Sequence, residues 1–345
     1  MQPELLFITP ELKGIGGTIK NEPSHFVVEE IPLYEPSGQG EHLYLRLRRE
    51  GHTTRDLQKR LADLFGLHEA QVGYAGLKDK QAIVTQTFSV QVFGLGEEEA
   101  AGRVQAELGL EVLSAKRHGN KLRKGHLLGN RFRILVSDAA PDAKETARAV
   151  AAALAERGLP NYFGAQRFGV QGDNALRGRE ILMGKGPRQR WLRELLLSAY
   201  QSRLFNLWLA QRLGKGLFLT LFAGDIAKKT DTGGLFTVED PQAEAPRLLA
   251  GEITYTGPIY GAKMMWPKGE AAELERAVLT AEEVSEEMLK RAGLKGSRRR
   301  ARLNPDDLAI QPEAGGLWFS FCLPKGSYAT TLLREFMKTD LSEPA

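Results

Sequence analysis

Residues Gly73–Val90 read Gly-Tyr-Ala-Gly-Leu-Lys-Asp-Lys-Gln-Ala-Ile-Val-Thr-Gln-Thr-Phe-Ser-Val, and the reading of the whole chain turns on them. Gly73 and Gly76 permit sharp backbone geometry and close approach of another segment. From Ala82 onward the pattern is that of a strand, with Phe88, Val90 and Val92 on one face and Thr87, Ser89 and Gln91 on the other. Asp79 therefore lies in a loop that runs into a strand, flanked by Lys78 and Lys80. Two ammonium groups so close favour a charged carboxylate and attract polyanions. Such an Asp can act as a nucleophile toward a sugar or a base. Composition alone favours the plainer reading, a solvated turn Asp.

The wider composition narrows the classes. A chain of 345 residues is expected to hold about two domains, and 42% hydrophobic with 26% charged residues describes an ordinary globular protein. Lysine and arginine exceed aspartate and glutamate by 47 − 43 = 4, so any polyanion-binding surface must come from the distribution of charge. Cys322 is the single cysteine, which excludes an intrachain disulfide and is compatible with a reducing compartment. The N-terminus lacks the basic and long apolar regions of a signal peptide. The longest uncharged run, Gln81 to Gly96, is too short and polar to span a bilayer. A cytoplasmic protein with no membrane association is expected.

Working outward, Gly14 to Gly17 form a glycine cluster without the surrounding elements of a dinucleotide site. Phe26 opens a strand-like run, where a core aromatic is the plain expectation. Leu43, Leu45 and Leu47 alternate with Tyr44, Arg46 and Arg48 as a half-buried strand does. Thr53 or Thr54 can cap a helix with Leu57, Leu61, Leu64 and Phe65 inward, ended by Gly66. Lys116 to Arg133 carries seven cations (Lys116, Arg117, Lys121, Arg123, Lys124, Arg131, Arg133) and no acid in eighteen positions, which points to phosphate contact.

Further on, Asp142 to Arg157 is an Ala-rich helix ending at Gly158, and Pro160 marks a boundary. A leucine-rich helix follows around Trp191 to Leu213, with few polar faces, and should be largely buried. Thr280-Ala281-Glu282-Glu283 reads as a capping box opening a helix. Lys295 to Arg302 is a second basic cluster and a candidate phosphate contact. Leu317, Phe319, Phe321 and Leu323 alternate as a strand, and Ser327 can cap the closing helix.

Several of these stretches together resemble the TruD family, which makes pseudouridine at position 13 of tRNA. Gly-Tyr-Ala-Gly-Leu-Lys-Asp-Lys-x-Ala-x-x-Thr-Gln is similar to the family signature and puts Asp79 on its nucleophile. The run Thr18 to Glu30 resembles the opening motif, with Lys20 as the charge partner of the Asp and Phe26 lining the uridine pocket. Gly129-Asn130-Arg131-Phe132 resembles the family's Gly-Asn-x-Phe, implying that Asn130 and Phe132 contact the target nucleotide. An extruded base needs just such a stacking face and edge hydrogen bonds. Asn161 to Gly169 is similar to the entrance of the family's inserted domain, and Ser198 to Asn206 inside it is also family-like, though core packing explains it. Leu323 to Thr330 resembles the closing motif and implies Tyr328 in the pocket, where Phe is frequent in the family.

The resemblance implies an α+β fold: a pseudouridine-synthase core with a mixed, mainly antiparallel sheet flanked by helices, plus an inserted α/β domain. The core would comprise 1–157 and 306–345, and the insertion 158–305. Lys121, Arg123, Lys124, Arg298, Arg299 and Arg300 are the expected RNA-backbone contacts. No Gly-x-x-x-x-Gly-Lys-Ser/Thr, His-Glu-x-x-His or cysteine pair occurs. No cofactor or metal is therefore expected, the partner is tRNA, and the protein should act as a monomer. A non-catalytic tRNA-binding or RNA-chaperone protein would share the basic clusters and aromatics without depending on Asp79. A cofactor-free glycosidic hydrolase would want a second carboxylate at the site.

Overall fold

Alternating apolar residues from distant parts of the chain assemble one large sheet. The computed structural model describes residues 5–339. The first part of the chain forms β1 (Gly16–Thr18), β2 (Phe26–Pro32), β3 (His42–Arg49), α1 (Thr54–Phe65), β4 (Gly73–Tyr74), β5 (Ile83–Gln91), α2 (Glu97–Leu108), β6 (Glu111–His118) and β7 (Leu127–Ala139). Then come α3 (Ala143–Arg157), β8 (Leu159–Pro160), α4 (Asn174–Leu182), α5 (Arg190–Gly214), β9 (Ile226–Lys229), β10 (Leu235–Thr237), α6 (Pro241–Leu249) and β11 (Ile253–Ile259). The chain closes with α7 (Gly269–Ala281), α8 (Glu286–Arg291), β12 (Ser297–Arg300), β13 (Arg302–Leu303), β14 (Asp306–Glu313), β15 (Gly316–Pro324) and α9 (Ala329–Met337).

Two compact units result. The sheet unit holds Ile15–Lys144 and Asp306–Gly326; the helix-rich unit holds Glu145–Pro305 with the residues up to Gly14 and those from Ser327. This division differs from the sequence expectation, because α3 and α9 group with the middle of the chain. Both helices bury apolar residues, Ala147, Val150 and Leu154 on α3 and Leu332, Leu333 and Phe336 on α9. A helix goes where its apolar face is covered, whatever segment it follows in sequence.

The sheet unit carries nine strands in the order β14-β15-β7-β2-β5-β3-β6, with β1 on β7 and β4 on β5. β2 and β5 run parallel, while β7 pairs antiparallel with both β2 and β15, so the sheet is mixed. Leu43, Leu45 and Leu47 of β3 and Phe88 and Val90 of β5 pack with Leu57 and Leu61 of α1 and Ala100 and Val104 of α2. Truncating one such leucine to alanine costs roughly 2–5 kcal/mol. Thr53 caps α1 in a reciprocal box with Asp56, and Gly66 ends it in the left-handed conformation at φ 64°. Gly73 is demanded by contact rather than by conformation: a Cβ there would sit 2.2 Å from the Leu122 carbonyl oxygen.

In the helix-rich unit α5 buries Leu196, Tyr200, Leu204, Phe205, Trp208 and Leu209, as its sequence indicates. It lies with the strand set β10-β9-β11-β12. Asn206, fully buried, uses its amide to take the Phe163 N–H and to donate to the Phe163 carbonyl, at 2.8 and 2.9 Å. The family-like stretch around it is thus structural.

Two expected caps are not the ones used. Thr280 stands in the last turn of α7, and the following helix is α8, capped by Ser285 at the Met288 amide, 3.2 Å. Tyr328, not Ser327, occupies the N-cap position of α9. Among the described residues no helix is long and apolar enough to cross a membrane.

Candidate active site

Three polar residues at inward-facing strand positions build the site. Along β2 the buried positions are Phe26, Val28 and Glu30; along β3 the inward run Leu43, Leu45, Leu47 ends in Arg49; along β5 Gln86 interrupts Val84, Phe88 and Val90. Glu30 and Arg49 are each 3% exposed and Gln86 is fully buried. Groups so placed must find partners, and all three grip the loop from Gly76 to Asp79. Gln86 Nε2 donates to the Gly76 carbonyl at 2.7 Å, and the Lys78 amide donates to Thr54 Oγ1 at 3.0 Å. Arg49 reaches the Asp79 carbonyl at 3.3 Å, as well as the His52 carbonyl, Thr54 Oγ1 and Gln86 Oε1. Burial pulls the Arg49 guanidinium down to about 10, and the Asp79 charge opposes that fall. Lys78 Nζ pairs with Glu30 Oε2 at 2.9 Å, an ionic contact rather than a directed hydrogen bond, with both side chains buried.

Asp79 is thereby fixed at the open end of the loop. Its Oδ1 accepts the Gln81 amide at 3.1 Å, and its Oδ2 is ion-paired with Lys20. The carboxylate keeps 28% of its side chain exposed, whereas Lys20 keeps 3%. Lys20 adopts φ 63°, a left-handed backbone that costs an ordinary residue about 1–2 kcal/mol. The ion pair, together with the Phe26 ring 4.8 Å from the ammonium, offsets that strain. The sequence expectation that Lys78 and Lys80 supply the local charge is corrected for Lys78, whose ammonium belongs to Glu30; the side chain against the carboxylate is Lys20.

An aromatic row adjoins this pair. Phe26 meets Phe132 edge-on at 6.5 Å, and Phe132 stacks on Phe321 at 5.3 Å. The register that opposes Val28 to Phe132 also opposes Glu30 to Asn130. Asn130 Oδ1 is buried without a hydrogen-bond partner among the described residues. A buried acceptor left open beside an aromatic row suits the edge of a planar polar ligand. Lys20, Phe26, Asp79, Asn130 and Phe132 thus fall in one unit. Tyr328 belongs to the helix-rich unit, where its ring lies 6.0 Å from Phe163 and burial raises its phenol.

The basic residues divide. Arg123 and Lys124 are exposed, Lys124 with its ammonium 5.7 Å from the Tyr74 ring. Lys121 donates to the Ala70 carbonyl, and Arg117 to the carbonyls of Val92 and Leu95 at 2.7 and 2.5 Å. The second cluster is mostly employed inside the protein, which corrects its expected role. Arg298 makes a bidentate pair with Glu275 at 2.6 and 2.9 Å, with 1% and 2% of the two side chains exposed. Arg299 stacks on Phe163 at 3.9 Å and donates to Asn161 Oδ1 at 2.7 Å. Arg300 is half-buried and donates to the Thr230 carbonyl at 3.2 Å. Adjacent arginines on β12 point to opposite faces, and partners waiting on both faces cannot be read from a charge count.

Sequence reasoning passed over Glu30, Arg49 and Gln86. Their signal was present: each is a polar residue at the inward phase of an otherwise apolar alternation. Among the described residues no three His, Cys, Asp or Glu side chains gather as a metal set.

The fold is that of a pseudouridine synthase. A crystal structure assigned to tRNA pseudouridine synthase D (TruD) from Methanosarcina mazei matches over 97% of this chain and 96% of its own, with a TM-score of 0.77 and 25% identity. The family model described as tRNA pseudouridine synthase D (TruD) matches residues 5–188 and 187–336, and the chain belongs to that family. A tRNA pseudouridine synthase D of Anaeromyxobacter sp. (strain Fw109-5) is 47% identical, covering 98% of this chain and 97% of its own length. One from Thermus thermophilus is 46% identical, covering 97% and 92%.

Proposed function

We propose that this chain converts uridine 13 of tRNA to pseudouridine, with Asp79 as nucleophile. The observation that carries the reading is the buried Lys20 ammonium held against a partly open Asp79 carboxylate, beside Phe26 and Phe132. The target nucleotide leaves its stack, and Asn130 and the aromatic row receive its edge and face. The Asp79 carboxylate attacks C1′ as the N1–C1′ bond breaks and the electron pair departs with the base. The base turns, C5 attacks C1′, and the bond from C1′ to Asp79 breaks to restore the carboxylate. The C5 proton is lost to solvent and N1 takes one up, so the reaction is an isomerisation that consumes nothing. Lys20 orients the carboxylate for the first displacement and faces the negative charge that returns to it when the C1′–Asp79 bond breaks in the second. Arg123 and Lys124 supply backbone contacts to tRNA, and the protein works as a cytoplasmic monomer.

The test uses purified wild type and Asp79→Asn on one tRNA transcript, with product and binding measured separately. Asn keeps the shape but not the charge or nucleophilicity, so the variant should fold and bind tRNA while pseudouridine falls below detection. Near-normal product from Asp79→Asn overturns the assignment. Wild type that binds tRNA without forming product would favour a binding protein instead.

A further inference from the structure

We infer that the face of the helix-rich unit around Trp191 is a separate RNA-docking surface, taking a short phosphate run and one unpaired base of the tRNA. The identity of the RNA rests on the function proposed above; the chemistry of the surface does not. Arg177 to Arg193 holds six cations (Arg177, Arg179, Lys185, Arg188, Arg190 and Arg193) against one acid, Glu180. Arg177 lies 4.0 Å from Asp173 and Arg179 lies 3.1 Å from Glu283, so those two have partners. Lys185, Arg188 and Arg190 are exposed. Arg190 meets Glu194 at 2.8 Å, yet its side chain stays 92% exposed, a solvated pair that a phosphate can displace.

Trp191 stands among these cations with 60% of its surface exposed, whereas Trp208 on the same helix is 1% exposed. One turn on, Leu195 is 40% exposed, which extends the apolar strip. A base can stack on an exposed indole whatever its sequence, and flanking guanidiniums can take the phosphates on either side. Protein-docking patches are depleted of charge at their centre, while here the exposed Arg188 and Arg190 flank the indole along the chain. Duplex RNA offers no free base face, so the occupant is an unpaired segment.

The experiment measures binding of a tRNA transcript bearing uridine 13 at several salt concentrations, for wild type, Trp191→Ala and Arg188→Gln/Arg190→Gln. Trp191→Ala should weaken binding about tenfold, the loss of one stacked base. The double arginine variant should lower the slope of log affinity against log salt by about 1 to 2. Arg55→Gln/Lys59→Gln removes two exposed cations from α1 and serves as the charge-matched control. Thermal melts establish that the exposed positions tolerate replacement. Affinity and slope indistinguishable from wild type in both variants would overturn the inference. So would unchanged tRNA binding accompanied by a change in self-association, which would give the face to a protein partner. Pseudouridine is mapped in parallel: binding that depends on Trp191 without product leaves the surface standing and removes the isomerase reading.

Discussion

The buried pair between Glu30 and Lys78 permits a sharp test of how the Asp79 loop is held. Their charges lie 2.9 Å apart with 3% and 6% of the side chains exposed. Glu30→Leu leaves the Lys78 ammonium unpaired where water hardly reaches, and Lys78→Met does the same to the carboxylate. Removing one partner of such a pair costs about 3–5 kcal/mol, whereas replacing both by apolar groups of similar volume is often close to neutral. The double variant Glu30→Leu/Lys78→Met should therefore be far more stable than either single one, with a coupling of about 3 kcal/mol. Chemical denaturation of the four proteins by the same probe reads that coupling. Turnover should separate from stability. The double variant keeps the fold but loses one of the three inward side chains that grip the loop, and a displacement of about 1 Å at a reacting group can cost roughly a hundredfold. Single costs that simply add would refute the pairing. A double variant turning over like wild type would refute the anchoring role.

Two further outcomes follow from buried groups. Arg298→Ala strands the buried Glu275 carboxylate and should cost about 3–5 kcal/mol; Arg299→Ala should also destabilise, and neither should change the salt slope of tRNA binding, because neither guanidinium serves a phosphate. A lowered slope in the folded variants would restore the RNA contact read from sequence. His52 is held below its usual 6.5 by burial, and by Arg60 and Arg49 nearby, so the unfolded chain binds that proton more tightly than the folded one. The stability this gives is present above about pH 6.5 and falls as the pH drops through that value; melting temperatures between neutral and acid pH should fall less steeply in His52→Gln, and parallel curves would exclude the effect.

The sequence alone determined where the strands and longer helices lie, since period-2 runs such as Leu43–Leu45–Leu47 and the leucines of α5 leave one arrangement that buries them. It also determined the family, because motifs from Thr18 to Thr330 fall in order along the chain. Lys20, Asp79, Phe26, Asn130 and Phe132 were legible through those motifs, and the structure brings them into one unit. Only the tertiary structure decided what each charge does. Lys78 and Lys80 flank Asp79 in sequence, yet the buried ammonium against it comes from Lys20, because the register of β2, β5 and β7 brings remote segments together. Arg298, Arg299 and Arg300 look alike as a basic run, but pleating sends Arg298 and Arg299 to opposite faces of β12, where one meets Glu275 and the other the Phe163 ring. Trp191 read as part of a buried helix and is exposed, because the first turn of α5 starts before its apolar face is covered. Charge and periodicity are local properties of a chain; burial and ionic partners are settled by which distant strand or helix arrives.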